Sequence, residues 1–139
     1  MAWGGVIIGS RINVSKGTIL SVLGNGRLHL GYNVYFNRNC NVVCRGKISI
    51  GKGCRFGPNV SIFDHDHIFD TQGVKDEYIV GDITIGEKCW FGANVIILRG
   101  SHIGDGSVIG AGVVFKGSIP PHSLVYNDKN NLIIKQIVD

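Results

Sequence analysis

ITIGEKCWFGANVIILRGSHIGDGSVIGAGVVFKGSIPP, residues 83–121, repeats at a fixed interval. From Ile85 a large apolar residue returns at every sixth position, at Phe91, Ile97, Ile103, Ile109 and Phe115, and glycine follows it at 86, 92, 104 and 110. The same step joins Leu30, Phe36 and Val42, then Ile50, Phe56 and Ile62, with glycine at 31, 51 and 57. A weaker form reaches into the first thirty residues through Ile8-Gly9 and Val14. A period of six is neither the 3.6 of a helix nor a simple extension of the 2.0 of a strand. It fits a chain that runs as a short strand, turns and repeats, with one large inward residue per six and small residues at the corners. Twenty-one glycines against three prolines, with 44% hydrophobic residues, favour many short strands over helices. The 139 residues suit one domain, 1–139, with one core.

Two breaks interrupt the period. Between Val43 and Ser49 the residues CRGK are expected to form a small excursion. Between Ile62 and Ile85 the gap is no multiple of six, so a long loop, about 63–82, leaves the coil there; such loops on rigid scaffolds are where function resides. After Ile119, Pro120 and Pro121 stop the coil, and 119–139 is expected to cap it, with LIIKQIV as a strand or short helix against the coil end or a neighbouring subunit.

Fourteen Lys and Arg against ten Asp and Glu give a formal charge of +4, which suits a phosphate-bearing small molecule. No basic run or Arg/aromatic interleaving points to nucleic acid. Cys40, Cys44, Cys54 and Cys89 contain no Cys-x-x-Cys pair, so they read as small buried hydrophobes in a reducing compartment rather than zinc ligands. The amino end, MAWGGVIIGSRINVSKG, has neither a signal-peptide pattern nor a membrane span, and a cytoplasmic location follows as the expectation.

The long loop opens with FDHDHIFD, residues 63–70. As an extended segment it puts His65 and His67 on one face. Two imidazoles and a carboxylate suit zinc, but His29, His102 and His122 repeat no ligand spacing, and no metal is expected. A solvated loop with local Asp–His hydrogen bonds is the plain alternative.

From about Leu28 to Pro120 the pattern resembles the hexapeptide repeat of left-handed parallel β-helix proteins, which implies an all-β fold; the handedness comes with the resemblance and not from the spacing. Residues 83–121 further resemble the second half of the maltose and galactoside O-acetyltransferases and, more closely, the shorter acetyltransferases of bacterial exopolysaccharide pathways. There a loop histidine precedes a VTIGxxxWIG segment, and YFNRNC, residues 35–40, is similar to their acceptor-side YxNxNC. The resemblance implies transfer of acetyl from acetyl-CoA to a hydroxyl of a sugar or glycan, with a histidine general base and no covalent enzyme intermediate. Counting seven residues from Val60 marks His67 as the base; counting back from Tyr78 marks His65, its partner or substitute. Asp64 and Asp66 are candidates for orienting the ring.

By the same matching Trp90 walls the donor cleft, the backbone at Ala93 and Ala111 holds the pantetheine arm, Lys116 meets a CoA phosphate, and Tyr35 and Asn37 bind the acceptor. The family's Thr-Lys is here Phe115-Lys116, and its terminal AGxPAK/R is replaced by VYNDKNN, leaving Lys129 and Lys135 to supply charge to the nucleotide end. The helical amino-terminal region of the maltose and galactoside enzymes has no counterpart. Family resemblance also implies a homotrimer, the loop histidine of one subunit facing the coil of the next and Trp90, Phe91 and Ile96 serving the contact. A non-sugar or amino-sugar acceptor, a metal-dependent β-helix similar to the γ-class carbonic anhydrases, and a non-catalytic coil are the competing readings.

Overall fold

The computed structural model describes residues 5–139, and among them there is no helix. The chain winds as a left-handed parallel β-helix of about six turns, a three-sided prism. Face one stacks Val6–Ile8, Arg27–Leu30, Lys47–Ile50, Ile83–Ile85, His102–Ile103 and Ser118–Ile119. Face two stacks Asn13–Val14, Tyr35–Phe36, Arg55–Phe56, Trp90–Phe91, Val108–Ile109 and Ser123–Asp128, with Asn131–Gln136 added antiparallel at its edge. Ile19–Val22, Asn41–Cys44, Ser61–Phe63, Ile96–Ile97 and Val114–Phe115 make face three.

The six-residue period becomes stacking. Leu30, Ile50, Ile85, Ile103 and Ile119 lie in register on one face. On the next, Phe36, Phe56 and Phe91 stack with ring centroids 4.7 and 4.6 Å apart, near the natural spacing of adjacent strands. Two positions earlier stands a smaller buried column in which Val34, Cys54, Cys89, Ser107 and Ser123 follow one another. All four cysteines are buried and unpaired, as their alternating context implied.

Most corners turn the chain through a left-handed residue. The corner from face two to face three uses Gly17, Asn39, Asn59, Asn94 and Gly112, all with φ between 59° and 82°. Glycine and asparagine recur there because they bear that conformation at least cost.

Two expectations on the breaks are corrected. Residues 44–47 are no excursion: Cys44 ends one strand, Lys47 begins the next, and Arg45-Gly46 is an ordinary corner. The phase slips because the turns differ in length. Ile8 lies beside Leu30, Leu30 beside Ile50, Ile85 beside Ile103 and Ile103 beside Ile119. The long excursion, in turn, is a β-hairpin arm rather than a loop, with His65–Asp70 antiparallel to Gly73–Val80 and a bulge between His67 and Phe69. The terminal LIIKQIV is strand as far as Gln136, Asn131–Gln136 pairing with Ser123–Asp128.

Candidate active site

The arm is fastened at its root by a buried carboxylate. Asp64, wholly inaccessible, accepts hydrogen bonds from the backbone N–H groups of Arg45 (2.9 Å) and Gly46 (2.7 Å). Its Oδ1 also lies 2.9 Å from His65 Nδ1. A buried carboxylate must be satisfied in this way, and here three donors do it. Gly81 N–H donates to the Asp64 carbonyl, closing the root from the other strand. Asp66 points outward and is held by Arg99, Nε to Oδ2 2.6 Å, a second tie between arm and coil. Of the two orienting candidates, Asp64 contacts a histidine ring and Asp66 contacts an arginine.

His65 and His67 share a face, as period two requires, and Tyr78 lies against both. Its ring is edge-on to His65 at 5.5 Å and tilted against His67 at 4.6 Å between centroids. Behind it, the Arg45 guanidinium sits 3.8 Å from the ring centre and donates from Nη2 to the phenol oxygen at 3.0 Å, while its Nε is buried without a partner. His65 is mostly covered, with 13% of its side chain exposed, whereas His67 stands exposed with Nδ1 3.3 Å from the Lys75 carbonyl. In the tautomer that donates to that carbonyl, His67 offers Nε2 to a substrate.

A groove of about 490 Å³ opens on face two, lined by Tyr35, Asn37, Arg55, Phe56, Gly57 and Trp90. Tyr35, Arg55 and Trp90 come from three successive rungs in direct register. The acceptor residues expected from YFNRNC and the expected donor-cleft tryptophan thus share one concavity, though 55 residues separate Tyr35 from Trp90. Trp90 is 57% exposed. Ala93 and Ala111 follow at the adjoining corner on neighbouring rungs, Gly112 N–H donating to the Ala93 carbonyl. Lys116 is exposed one corner further on, after Val114–Phe115, and does not join the groove.

Phe91 was expected to face a neighbouring subunit; it is fully buried in the aromatic stack, because inward and outward positions alternate and Trp90 takes the outward one. Ile96 is half-buried on face three. Lys129 sits in the last turn, and Lys135 lies over Tyr126 with Nζ 5.4 Å from the ring centre. The arm leaves from the corner between faces three and one, so within one chain the prism separates the histidines from the groove on face two. Arg45, Tyr78 and Arg55 escaped the motif reading. Arg55 was within reach of it, since adding the rung length to Tyr35 leads to it.

Among the described residues no group of three or more His, Cys, Asp or Glu is placed to hold a metal ion. Residues 82–117 match the family model described as bacterial transferase hexapeptide, six repeats. Among solved structures, the chain is similar to a galactoside acetyltransferase in complex with coenzyme A: 27% identity, TM-score 0.73, over 91% of this chain and 65% of that one. A maltose O-acetyltransferase from Clostridium difficile 630 is 26% identical with TM-score 0.57, over 96% of this chain and 67% of that one. An N-acyltransferase from Bacillus cereus, solved with dTDP and coenzyme A, shares the fold at 17% identity and TM-score 0.79, over 96% of this chain and 75% of that one. With the repeat, the prism and these likenesses together, the chain is a left-handed β-helix that carries a bacterial transferase hexapeptide repeat over residues 82–117 and is similar to acetyl-CoA-dependent acetyltransferases.

Proposed function

We propose that the protein moves acetyl from acetyl-CoA to a hydroxyl of a sugar or glycan intermediate, with His67 as general base. The observation that carries this reading is the groove, which gathers Tyr35, Asn37 and Trp90 from separate rungs into one aromatic, amide-bearing cleft. Aromatic faces and amides suit a sugar ring and its hydroxyls. The galactoside and maltose enzymes act on sugars by their names, and they share this coil.

A sugar hydroxyl is too weak an acid to attack a thioester unaided. His67 Nε2 takes its proton as the oxygen adds to the thioester carbon, and the imidazolium returns that proton to the departing CoA thiolate. The Lys75 carbonyl fixes the ring through Nδ1 and Tyr78 backs it. His65, committed to Asp64 and largely covered, holds the arm and keeps the base in place. The greater exposure of His67 supports this choice, because a base must be reached by its substrate.

Since the prism separates His67 from the groove in one chain, a complete site is formed between subunits, the arm of one lying over face two of the next. A homotrimer satisfies this with three equal sites. Trp90 walls the donor side and the backbone at Ala93 and Ala111 carries the pantetheine arm. Lys116, on the far corner, meets the CoA phosphates only from a neighbouring subunit.

Thiol release from acetyl-CoA, followed with a panel of sugars, tests the reading. CoA appears only when acceptor is present and is lost in His67→Ala. Transfer at the wild-type rate in that variant removes His67 from the chemistry, and acetyl transfer confined to amines removes the sugar hydroxyl.

A further inference from the structure

The groove on face two holds one residue that the proposed transfer leaves unused. Arg55 lies between Tyr35 on the rung before and Trp90 on the rung after, all three side chains on the outer surface of one sheet. It is exposed, and among the described residues it makes no salt bridge. None of the lining residues is acidic: Tyr35, Asn37, Phe56, Gly57 and Trp90 complete the wall. Elsewhere the cations near carboxylates are engaged, as Arg99 is by Asp66, Lys75 by Asp70 and Lys52 by Glu87. A guanidinium flanked by two aromatic residues one strand spacing away, on a groove wall with no carboxylate of its own, is an arrangement that recognises an anion on a ring-shaped ligand.

We propose that the acceptor is anionic, a sugar bearing a carboxylate or phosphate, and that Arg55 is the residue that selects it. This deepens the proposed function and rests on its assignment of the groove. Position in the coil favours the acceptor over the donor as the source of the charge. Tyr35 and Asn37 lie on one side of Arg55, while the edge assigned to pantetheine, Ala93 and Ala111, lies beyond Trp90 on the other. Rungs are about 4.8 Å apart. An extended pantetheine arm spans several rungs, so a CoA whose thioester lies beside Trp90 carries its pyrophosphate away from Arg55. The acetyl carbon meets the acceptor hydroxyl near Trp90, and the charged substituent of the same ring then falls at the rung of Arg55.

The test compares matched acceptors with the full-length protein: a neutral hexose, the corresponding uronate and the corresponding hexose phosphate, each with wild type and Arg55→Gln. Thiol release gives KM and kcat for acceptor and for acetyl-CoA, and calorimetric titration of the same sugars gives affinity without turnover. An anionic acceptor is expected to be favoured over the neutral one by about tenfold or more, in line with a charge-assisted hydrogen bond. Arg55→Gln is expected to abolish that preference through the acceptor KM, leaving the KM for acetyl-CoA unchanged. The uronate and phosphate arms tell which anion is meant. Equal use of neutral and charged sugars, or a preference surviving in Arg55→Gln, overturns the proposal, as does a rise confined to the acetyl-CoA KM. Preferential binding of anionic sugars with no thiol release leaves Arg55 its role and instead sinks the acetyl transfer.

Discussion

His67 and His65 stand two residues apart with different surroundings, and the proposed roles follow those surroundings. His67 is exposed and backed by Tyr78; His65 is tied to a carboxylate with no accessible surface. His67→Ala is expected to lower kcat by about 10²–10⁴-fold with little change in melting temperature, the range for loss of a general base. His65→Ala is expected to lower both, since it frees the arm. Asp64→Asn replaces one accepting oxygen by an amide donor that faces the N–H donors of Arg45, Gly46 and His65, and is expected to cost about 1–3 kcal/mol in urea denaturation. Asp66→Asn, which loses only an exposed ion pair, is expected to cost under about 1 kcal/mol. Burial, and then the charge of Asp64, push the Cys44 thiol up to about 11 from 9.0. Between those pH values the unfolded chain has released the proton that the folded chain keeps, so this thiol's contribution to stability falls as pH rises from about 9 to about 11. Denaturation midpoints across that interval check the sign, and Cys44→Ala flattens the decline.

The arm and the coil corners are elements with separate duties. The arm is tied to the coil at its root, through Asp64, Asp66 and Gly81, and once more through Tyr78, whose phenol accepts from Arg45. Replacing residues 67–78 with a two-residue turn is therefore expected to leave the far-ultraviolet β signal intact while abolishing acetyl transfer. Gly104 behaves oppositely. A Cβ there would overlap the backbone of Pro120 and Pro121 on the next turn, which cannot swing aside as a side chain does. Gly104→Ala is expected to destabilise by about 1–3 kcal/mol with no direct effect on the groove. In the stacked column, Phe56→Ala opens a void between Phe36 and Phe91 and is expected to cost about 3–5 kcal/mol in the same denaturation assay.

At the scale of the whole molecule, the prism puts base and groove on different sides, which makes assembly part of the catalytic proposal. His67→Ala supplies an intact groove and Trp90→Ala an intact arm. Each is expected to be nearly inactive alone; dissociated, mixed and reassembled, they are expected to recover activity through mixed interfaces. No recovery from assembled mixtures would place base and groove within one chain. The terminal hairpin bears on the same question, since Leu132, Ile134, Ile137 and Val138 remain exposed on it. Lys116, expected at a CoA phosphate, stands a corner away from Ala111.

Periodicity pointed to the coil, though not to its hand, because a six-residue step with glycine corners suits short strands that turn and stack, and the large residues from Ile85 to Phe115 lie inward where that step puts them. Of the groove's members, Tyr35, Asn37 and Trp90 came from the family resemblance, while Arg55 was found only once the rungs were seen in register. The length of each turn was not legible, because corners of different size produce the same loss of phase as a true insertion; CRGK is such a corner. Nor did period two distinguish His65 from His67. Only tertiary structure gives the two rings different surroundings, by bringing Asp64 under His65 and the Lys75 carbonyl to His67, through contacts that depend on how the arm is rooted. The place of Arg55 between two aromatic residues belongs to both levels: the repeat aligns the three, and the absence of any carboxylate from the groove wall is a property of the folded surface alone.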